Sequence, residues 1–210
     1  DEKRAFFYKT LFERDAEAQN KLGATYFHQQ DYPKAFQLFQ SSAKQGNLNA
    51  YVNLAAMYGK GLGVTEDYEK GLGYLKTAAD QGDAHAQLLL GAQYHSGICS
   101  LTEKSIAKDY TQAVNYFTLA ADQGNKTGQH ALGSIYLDGQ VVKKDLDKAF
   151  HYYALAADQG HDNALQCLIW GSEHTNPTAQ FRLGTLLVKG GAVDKDETTG
   201  WQYIQLAATQ

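Results

Sequence analysis

Residues 58–82 read YGKGLGVTEDYEKGLGYLKTAADQG, and residues 136–160 read YLDGQVVKKDLDKAFHYYALAADQG. The two stretches are equally long and share a tyrosine, a loop with glycine and valine, an aspartate and the ending Ala-Ala-Asp-Gln-Gly. Self-similarity with a period of about 20 to 50 residues is typical of stacked repeats, in which each unit packs on its neighbours. The sequence therefore predicts a repeat protein.

The aspartate of this stretch recurs five times along the chain. Each copy lies four residues before a small residue that opens the run small-bulky-x-bulky-bulky, at Asp31, Asp67, Asp109, Asp145 and Asp196. Their spacings are 36, 42, 36 and 51 residues. A carboxylate in this place can accept the unpaired N–H groups of a first helical turn. We therefore predict five helix N-caps, in preference to an acidic groove for a metal or substrate.

A second pattern, Ala-x-x-x-Leu-Gly-x-x-Tyr, precedes the aspartates, as in Ala18, Leu22, Gly23 and Tyr26. Residues four apart share one face of a helix, and a glycine beside the leucine lets a second helix approach closely. Each unit therefore reads as two paired helices, A and B. We expect the bulky triplets of helix B to fill the core between repeats: Phe36/Leu38/Phe39, Leu72/Tyr74/Leu75, Val114/Tyr116/Phe117, Phe150/Tyr152/Tyr153 and Trp201/Tyr203/Ile204.

The residues after helix B also recur. We expect glycine to end each helix B as its C-cap residue, at Gly46, Gly82, Gly124 and Gly160. The residue after each glycine is placed to start the next helix A, at Asn47, Asp83, Asn125 and His161. One unit thus reads as helix, loop, helix and glycine.

These residues resemble the SLR (Sel-one-like repeat), a relative of the tetratricopeptide repeat. The resemblance covers nearly the whole chain and implies an all-α fold, a right-handed α-solenoid of antiparallel helix pairs with about five units plus a truncated one. The expected organisation is a single solenoid over 1–210. It comprises an N-terminal helix at 1–14, repeats at 15–46, 47–82, 83–124 and 125–160, a truncated unit at 161–175 and a C-terminal repeat at 176–210.

Two irregularities interrupt the repeats. The third unit has six extra residues, in a segment 96–107 that holds Cys99 and extends one rim. After the fourth unit, Ala164 and Leu168 restart helix A, but Ile169 replaces the glycine and no helix B follows. We predict an unpaired or re-paired helix at 162–174 that bends the superhelix. Its Trp170 belongs either to the local core or to an exposed anchor.

Composition bounds the function classes. The net charge of -4 and the pI near 6.0 provide no basic field for nucleic acid. No apolar run approaches the roughly 20 residues of a membrane span. Asp1–Arg14 lacks a signal-peptide core and is expected to be an amphipathic helix with Phe6, Phe7, Leu11 and Phe12 inward. We therefore expect a mature or excised piece from which any targeting segment has been removed. The resemblance implies an exported bacterial protein, periplasmic or secreted, with a cytoplasmic location as the alternative.

The resemblance also implies a concave surface lined by helix A. Carried over residue by residue, it predicts partner contacts in the first three units at Glu17, Asn20, Phe27, Asn49, Val52, His85, Leu88 and His95, and in the fourth at Thr127 and His130. Ala24, Ala56, Gly59, Ala92, Ser134 and Leu137 complete the lining. Three histidines in this set invite a zinc interpretation. No acidic residue that would orient them is evident, so partner contact is the better interpretation.

The function predicted is a non-enzymatic scaffold that binds a protein or peptide through the helix-A groove or the inserted loop. The resemblance implies an envelope regulator, a virulence-associated factor or an immunity protein that blocks a toxic effector. One alternative is a structural spacer within a longer chain. Another is a cell-wall or antibiotic hydrolase, as attributed to cysteine-rich relatives. This chain has only Cys99 and Cys167, expected to be buried or incidental thiols, and we predict no cofactor.

Overall fold

The computed structural model describes residue 12 and residues 14–99 and 106–210. The predicted helix at 1–14 therefore lies almost entirely outside the described residues, as does the middle of the inserted segment. The described part of the chain holds eleven α-helices and no extended strand. The fold class is the predicted all-α repeat solenoid.

The chain divides into two compact units, one up to Lys108 and one from Asp109. The N-terminal unit contains α1 Ala16–His28, α2 Tyr32–Lys44, α3 Leu48–Lys60, α4 Tyr68–Asp80 and α5 Ala84–Ser96. The C-terminal unit contains α6 Tyr110–Asp122, α7 Lys126–Asp138, α8 Leu146–Ala157, α9 Asp162–Glu173, α10 Pro177–Lys189 and α11 Glu197–Ala208. Within each unit, helices that follow one another in the chain pack together.

All five predicted aspartate caps are confirmed. In each case Oδ1 accepts the backbone N–H three residues later, over 2.9 to 3.4 Å. The cap also closes the loop within a repeat, because the N–H of Asp67 donates to the carbonyl of Tyr58 and that of Asp145 to the carbonyl of Tyr136. Loops of different sequence thus end on the same hydrogen bond.

The predicted starts of the helices are confirmed as well, whereas the predicted glycine C-caps are wrong, because the C-caps are Gln45, Gln81, Gln123 and Asp158. Asn47, Asp83, Asn125 and His161 each cap the following helix. The four glycines lie two or three residues beyond the last helical residue, with φ between 73° and 92°. This left-handed conformation favours glycine, which explains why the position recurs.

Close pairing of helices A and B is confirmed where glycine meets a ring. A Cβ on Gly23 would lie 2.7 Å from Phe39, and one on Gly133 would lie 2.7 Å from Tyr153. The last residues of four triplets, Phe39, Leu75, Phe117 and Tyr153, are buried. The prediction is wrong for Trp201, which is 54% exposed. Its helix α11 packs on α10, and no other described helix covers the opposite side.

Buried glutamines tie successive elements together, a feature that the sequence analysis missed. Gln129 Nε2 donates to the carbonyl of Ala121 over 3.3 Å, and its Oε1 accepts from Gln159 over 2.8 Å. Gln180 repeats this arrangement with Ser172 and Gln210. Each glutamine adds a second donor to a backbone carbonyl at the end of the preceding helix, which also accepts an N–H of the following turn, from Gly124 or from Thr175.

The predicted helix of the truncated unit is α9, and it is re-paired. It packs against both α8 and α10. Its end follows the pattern of a helix B, since the Asn176 N–H donates to the carbonyl of Gly171 as that of Asp83 does to Ala78. Gly171 leaves room for the ring of Phe150. One helix thus begins as helix A and ends as helix B; the bend of the superhelix stays a prediction.

Candidate functional site

The ten predicted contact residues lie on α1, α3, α5 and α7, the first helix of each regular repeat. Positions three, four or seven apart share one side of a helix, so each set forms a row. Eight of them belong to the N-terminal unit, and Thr127 and His130 belong to the C-terminal unit. Each unit therefore carries its own candidate surface.

In the N-terminal unit, two predicted residues connect α1 to α3. Glu17 Oε2 accepts from Asn47 Nδ2, and Asn20 Oδ1 accepts from Asn53 Nδ2, both over 3.0 Å. Asn20 is only 8% exposed. Its amide therefore serves to join neighbouring helices and presents little surface to a partner.

The other predicted residues of this unit fall into two groups. Phe27, Val52 and Leu88 are half-buried, and Phe27 packs edge-on against Tyr32. Asn49, His85 and His95 are exposed. His85 and His95 are ten residues apart, which is about 15 Å along α5. No group of three or more His, Cys, Asp or Glu side chains that could hold a metal lies among the residues the structure describes.

In the C-terminal unit, the structure brings His130 against His161. The two imidazole rings stack with centroids 4.4 Å apart and planes 15° apart. His161 is the N-cap of α9, where its Nδ1 accepts the N–H of Ala164 over 3.3 Å. Burial lowers the pKa of His130, and the neighbouring His161 lowers it further. Thr127 is exposed one turn before His130 on α7.

Tyr153 lies next to His130. Its ring lies 5.6 Å from that of His130, and its hydroxyl donates to Ser134 Oγ over 3.1 Å. Burial raises the pKa of Tyr153 to about 12 and outweighs the hydrogen bond to Ser134, which acts to lower that pKa. The phenol therefore stays neutral and fixes the position of Ser134 on α7.

An apolar pocket continues along the same two helices. Leu137 from α7 and Gln166, Cys167 and Trp170 from α9 line an open depression of about 300 Å³. Trp170 is 50% exposed and stacks on His174, with ring centroids 4.3 Å apart. The local core, which the sequence favoured for Trp170, is therefore wrong, and its exposed position is the other predicted alternative. Cys167 is half-buried in this pocket and Cys99 is buried, in agreement with the expected thiols.

We call this surface the α7–α9 face: His130, Ser134 and Leu137 from α7, with His161, Gln166, Cys167 and Trp170 from α9. The α7 half of this face was predicted from the sequence, whereas the α9 half was not predicted as a site, apart from Trp170. The available signal was the spacing of Gln166 and Trp170, which lie one helical turn apart. None of the helices in the described ranges is long and apolar enough to cross a membrane.

The chain matches the model of the Sel1 repeat at residues 16–47, 48–83, 84–125, 127–161 and 177–210, which is most of its length. The unmatched stretch 162–176 contains α9, the helix of the truncated unit. A comparison with curated protein sequences found no match.

Among solved structures, the chain is similar to c5321, a protective antigen of uropathogenic Escherichia coli strains that has an SLR fold. The identity is 27% and the TM-score 0.68, over 96% of this chain and 47% of that one. A Sel1 repeat protein from Oxalobacter formigenes is 26% identical, with a TM-score of 0.62 over 93% and 73% of the two chains. The chain thus spans about half the length of c5321. These bacterial sources agree with the expected bacterial origin.

Proposed function

The chain belongs to the Sel1 repeat family, and on that premise we propose that it binds a partner protein through the α7–α9 face. Sel1 repeats generally mediate protein–protein interactions, and the family is generally a non-enzymatic scaffold. The observation that carries the proposal is the half-exposed Trp170 at the edge of the apolar pocket.

The chemistry of this face suits a protein partner. Tryptophan is enriched among the residues that contribute most to binding energy, because a large rigid ring buries much area at low entropic cost. Leu137 and Cys167 provide an apolar floor beside it, and Gln166 provides an amide at the rim. His130 and Ser134 continue the face with polar groups. An apolar centre with a polar border is the usual anatomy of a protein interface.

The exposed residues of the N-terminal unit extend the proposal. Asn49, His85 and His95 lie on the predicted contact rows of α3 and α5 and are accessible to solvent. We assign them a weaker, polar contribution to binding. The inserted segment 96–107, whose described ends include the half-exposed Ile98, is the alternative contact in this unit.

The biological role is a finer proposal. Among an envelope regulator, a virulence-associated factor and an immunity protein, the description of c5321 as a protective antigen favours the virulence-associated role. That role would require export, so we propose a periplasmic or secreted location. Because the chain spans about half of c5321, the activity of the whole antigen does not transfer to it.

Site-directed photo-crosslinking tests the proposed surface. A photoreactive residue replaces Gln166, which lines the pocket, in one variant and Lys143, an exposed loop residue before α8, in another. We expect one protein to crosslink at position 166 in the source organism and not at position 143. Equal crosslinking at both positions, or crosslinking only at position 143, would contradict the α7–α9 face as the binding site.

A further inference from the structure

An open groove of about 440 Å³ lies between α1 and α2, in the first repeat of the N-terminal unit. Leu22 and Tyr26 of α1 and Leu38 of α2 give it an apolar lining, and Gln37 of α2 adds a polar group. Phe12, which precedes α1 in the chain, lines the groove as well. This groove belongs to a different unit from the α7–α9 face.

The leucine of this groove is more exposed than its equivalents in the other repeats. Leu22 is 36% exposed, whereas the leucine in the same place of the helix-A pattern is at most 4% exposed in the later repeats, at Leu54, Leu90, Leu132 and Leu183. Ala18 is likewise half-buried, although Ala50 and Ala86 are completely buried. In the later repeats, helix A packs on the helix before it: α3 on α2, α5 on α4, α7 on α6 and α10 on α9. The open surface of α1 is therefore the one that a preceding element covers elsewhere.

The core between repeats shows which side chains provide this cover. Phe39 and Ala43 of α2 belong to one buried cluster with Leu54 of α3. Tyr153 of α8 belongs to another with Leu168 of α9. Phe39 and Tyr153 are each the last residue of a bulky triplet. The groove at Leu22 thus calls for a bulky side chain in the place of Phe39.

The turn before α1 has the hydrogen bonds of a turn that ends a helix in the later repeats. The Phe12 carbonyl accepts from Gln19 Nε2 over 3.2 Å and from the N–H of Asp15 over 3.1 Å. The same two donors, a glutamine of helix A and an N–H three residues on, meet at the carbonyls of Ala79, Ala121 and Ser172. Phe12 therefore stands in the place of Ala79, although its glutamine follows after seven residues and not eight.

This equivalence gives a place to the residues before Phe12. Leu75 lies four residues before the equivalent carbonyl of α4 and is completely buried, and Tyr8 lies four residues before Phe12. Gly73 lies six residues before that carbonyl and has open space around it, and Phe6 lies six residues before Phe12. The equivalence therefore indicates Tyr8 for the core, whereas the amphipathic pattern alone placed Phe6 inward.

We propose that residues 1–11 of the chain itself occupy this groove, with the ring of Tyr8 on Leu22 as Phe39 lies with Leu54. The segment supplies the apolar side chains that the groove requires, since five of its eleven residues are Ala5, Phe6, Phe7, Tyr8 and Leu11. It is also tethered at Phe12, and a short tether provides a local concentration on the order of millimolar. The groove is thus an interface within the chain, and this proposal is independent of the proposed partner binding.

Photo-crosslinking of the full chain tests the occupant. A photoreactive residue replaces Gln37, an exposed residue of the groove, in one variant. In the matched control it replaces Gly73, which holds the same repeat position in α4 and is exposed too. We expect position 37 to crosslink to residues 1–11 of the same chain, at the mass of a monomer, and position 73 to give no such product. Crosslinks from position 37 only to a second copy or to another protein, or none to residues 1–11, would overturn the proposal.

Amide hydrogen exchange tests the place of Tyr8. In Tyr8→Ser, the protection of the amides from Leu22 to Tyr26 should fall at least about tenfold, as expected from the loss of one buried aromatic side chain. Phe6→Ser, at the open place of Gly73, should change that protection by less than about threefold. The amides of α8, in the other unit, serve as the reference and should stay level in both variants. Unchanged protection in Tyr8→Ser, or an equal fall in Phe6→Ser, would contradict Tyr8 as the side chain that covers Leu22.

Discussion

Gln159 Nε2 donates a hydrogen bond to Gln129 Oε1 over 2.8 Å. This bond joins the turn after α8 to the first turn of α7. Gln129 is buried, and its own Nε2 donates to the carbonyl of Ala121. The same link joins Gln45 to Gln19 and Gln210 to Gln180. This glutamine pair connects helices A and B of one repeat to the end of the element before it.

Replacing Gln129 with leucine should therefore destabilise the C-terminal unit. The substitution removes the hydrogen bond from Gln129 to the Ala121 carbonyl, which keeps the N–H of Gly124, and the bond from Gln159, at a cost of about 0.5 to 1.5 kcal/mol for each. Urea unfolding measures the change. Gln166→Leu, at an exposed position of α9, is the control and should change stability little. Equal stability of both variants would show that the pair is incidental.

A matched pair of glycines tests the close approach of helices A and B. Gly133→Ala places a Cβ 2.7 Å from Tyr153 and should cost about 1 to 3 kcal/mol through overpacking. Gly73→Ala, on a helix with nothing within 4 Å, should stabilise by about 0.5 to 1 kcal/mol, because alanine favours a helix over glycine. Thermal unfolding of the two variants should shift in opposite directions. A shift in the same direction would refute the close approach.

The aspartates stabilise their helices as hydrogen-bond acceptors of the first turn and not through their negative charge. Asp145→Ala should lower stability by about 1 kcal/mol, since the N–H of Lys148 loses its acceptor. Asp145→Asn keeps the acceptor and should retain most of the stability. Asp194→Ala, in the loop before α11, provides a comparison that removes charge without removing a cap. If Asp145→Asn were as damaging as Asp145→Ala, the negative charge would be the important feature.

The buried phenol of Tyr153 predicts a loss of stability in alkali. Burial raises its pKa to about 12 from the ordinary 10.0, so the folded chain holds a proton that the unfolded chain releases. This contribution is intact below pH 10 and decreases as the pH rises towards 12. Stability measured across that range should fall less in Tyr153→Phe than in the wild type. Because Tyr68 and Tyr152 also have raised pKa values, part of the fall should remain.

Much of the fold could be predicted because the same local sequence pattern recurs in several repeats. An aspartate before a small residue gives a cap wherever it occurs, and a glycine beside leucine marks a close approach. The glutamine pairs could not be predicted from the sequence because Gln129 and Gln159 are 30 residues apart, and only the folded turn brings them together. Trp201 was assigned to the core because its motif matches Phe150, but burial depends on the neighbouring element and not on the motif.

The site was harder to predict for the same reason. His130 and Leu137 followed from the family pattern, whereas their partners His161 and Cys167 lie on the one helix that departs from it. Because α9 begins like a helix A and ends like a helix B, the family pattern contains no equivalent helix from which its contacts can be carried over. The spacing of 51 residues between Asp145 and Asp196 located this helix but did not indicate which side of it faces α7.

Partner affinity in Trp170→Ala tests the central claim most directly. The binding partner, once identified by crosslinking at position 166, is titrated in purified form against the wild type and against two variants. Trp170→Ala should weaken binding at least about thirtyfold, as expected of a central anchor worth 2 kcal/mol or more. Phe181→Ala removes another exposed ring, on α10, and should leave the affinity unchanged. Unchanged affinity in Trp170→Ala would contradict the α7–α9 face as the site of partner binding.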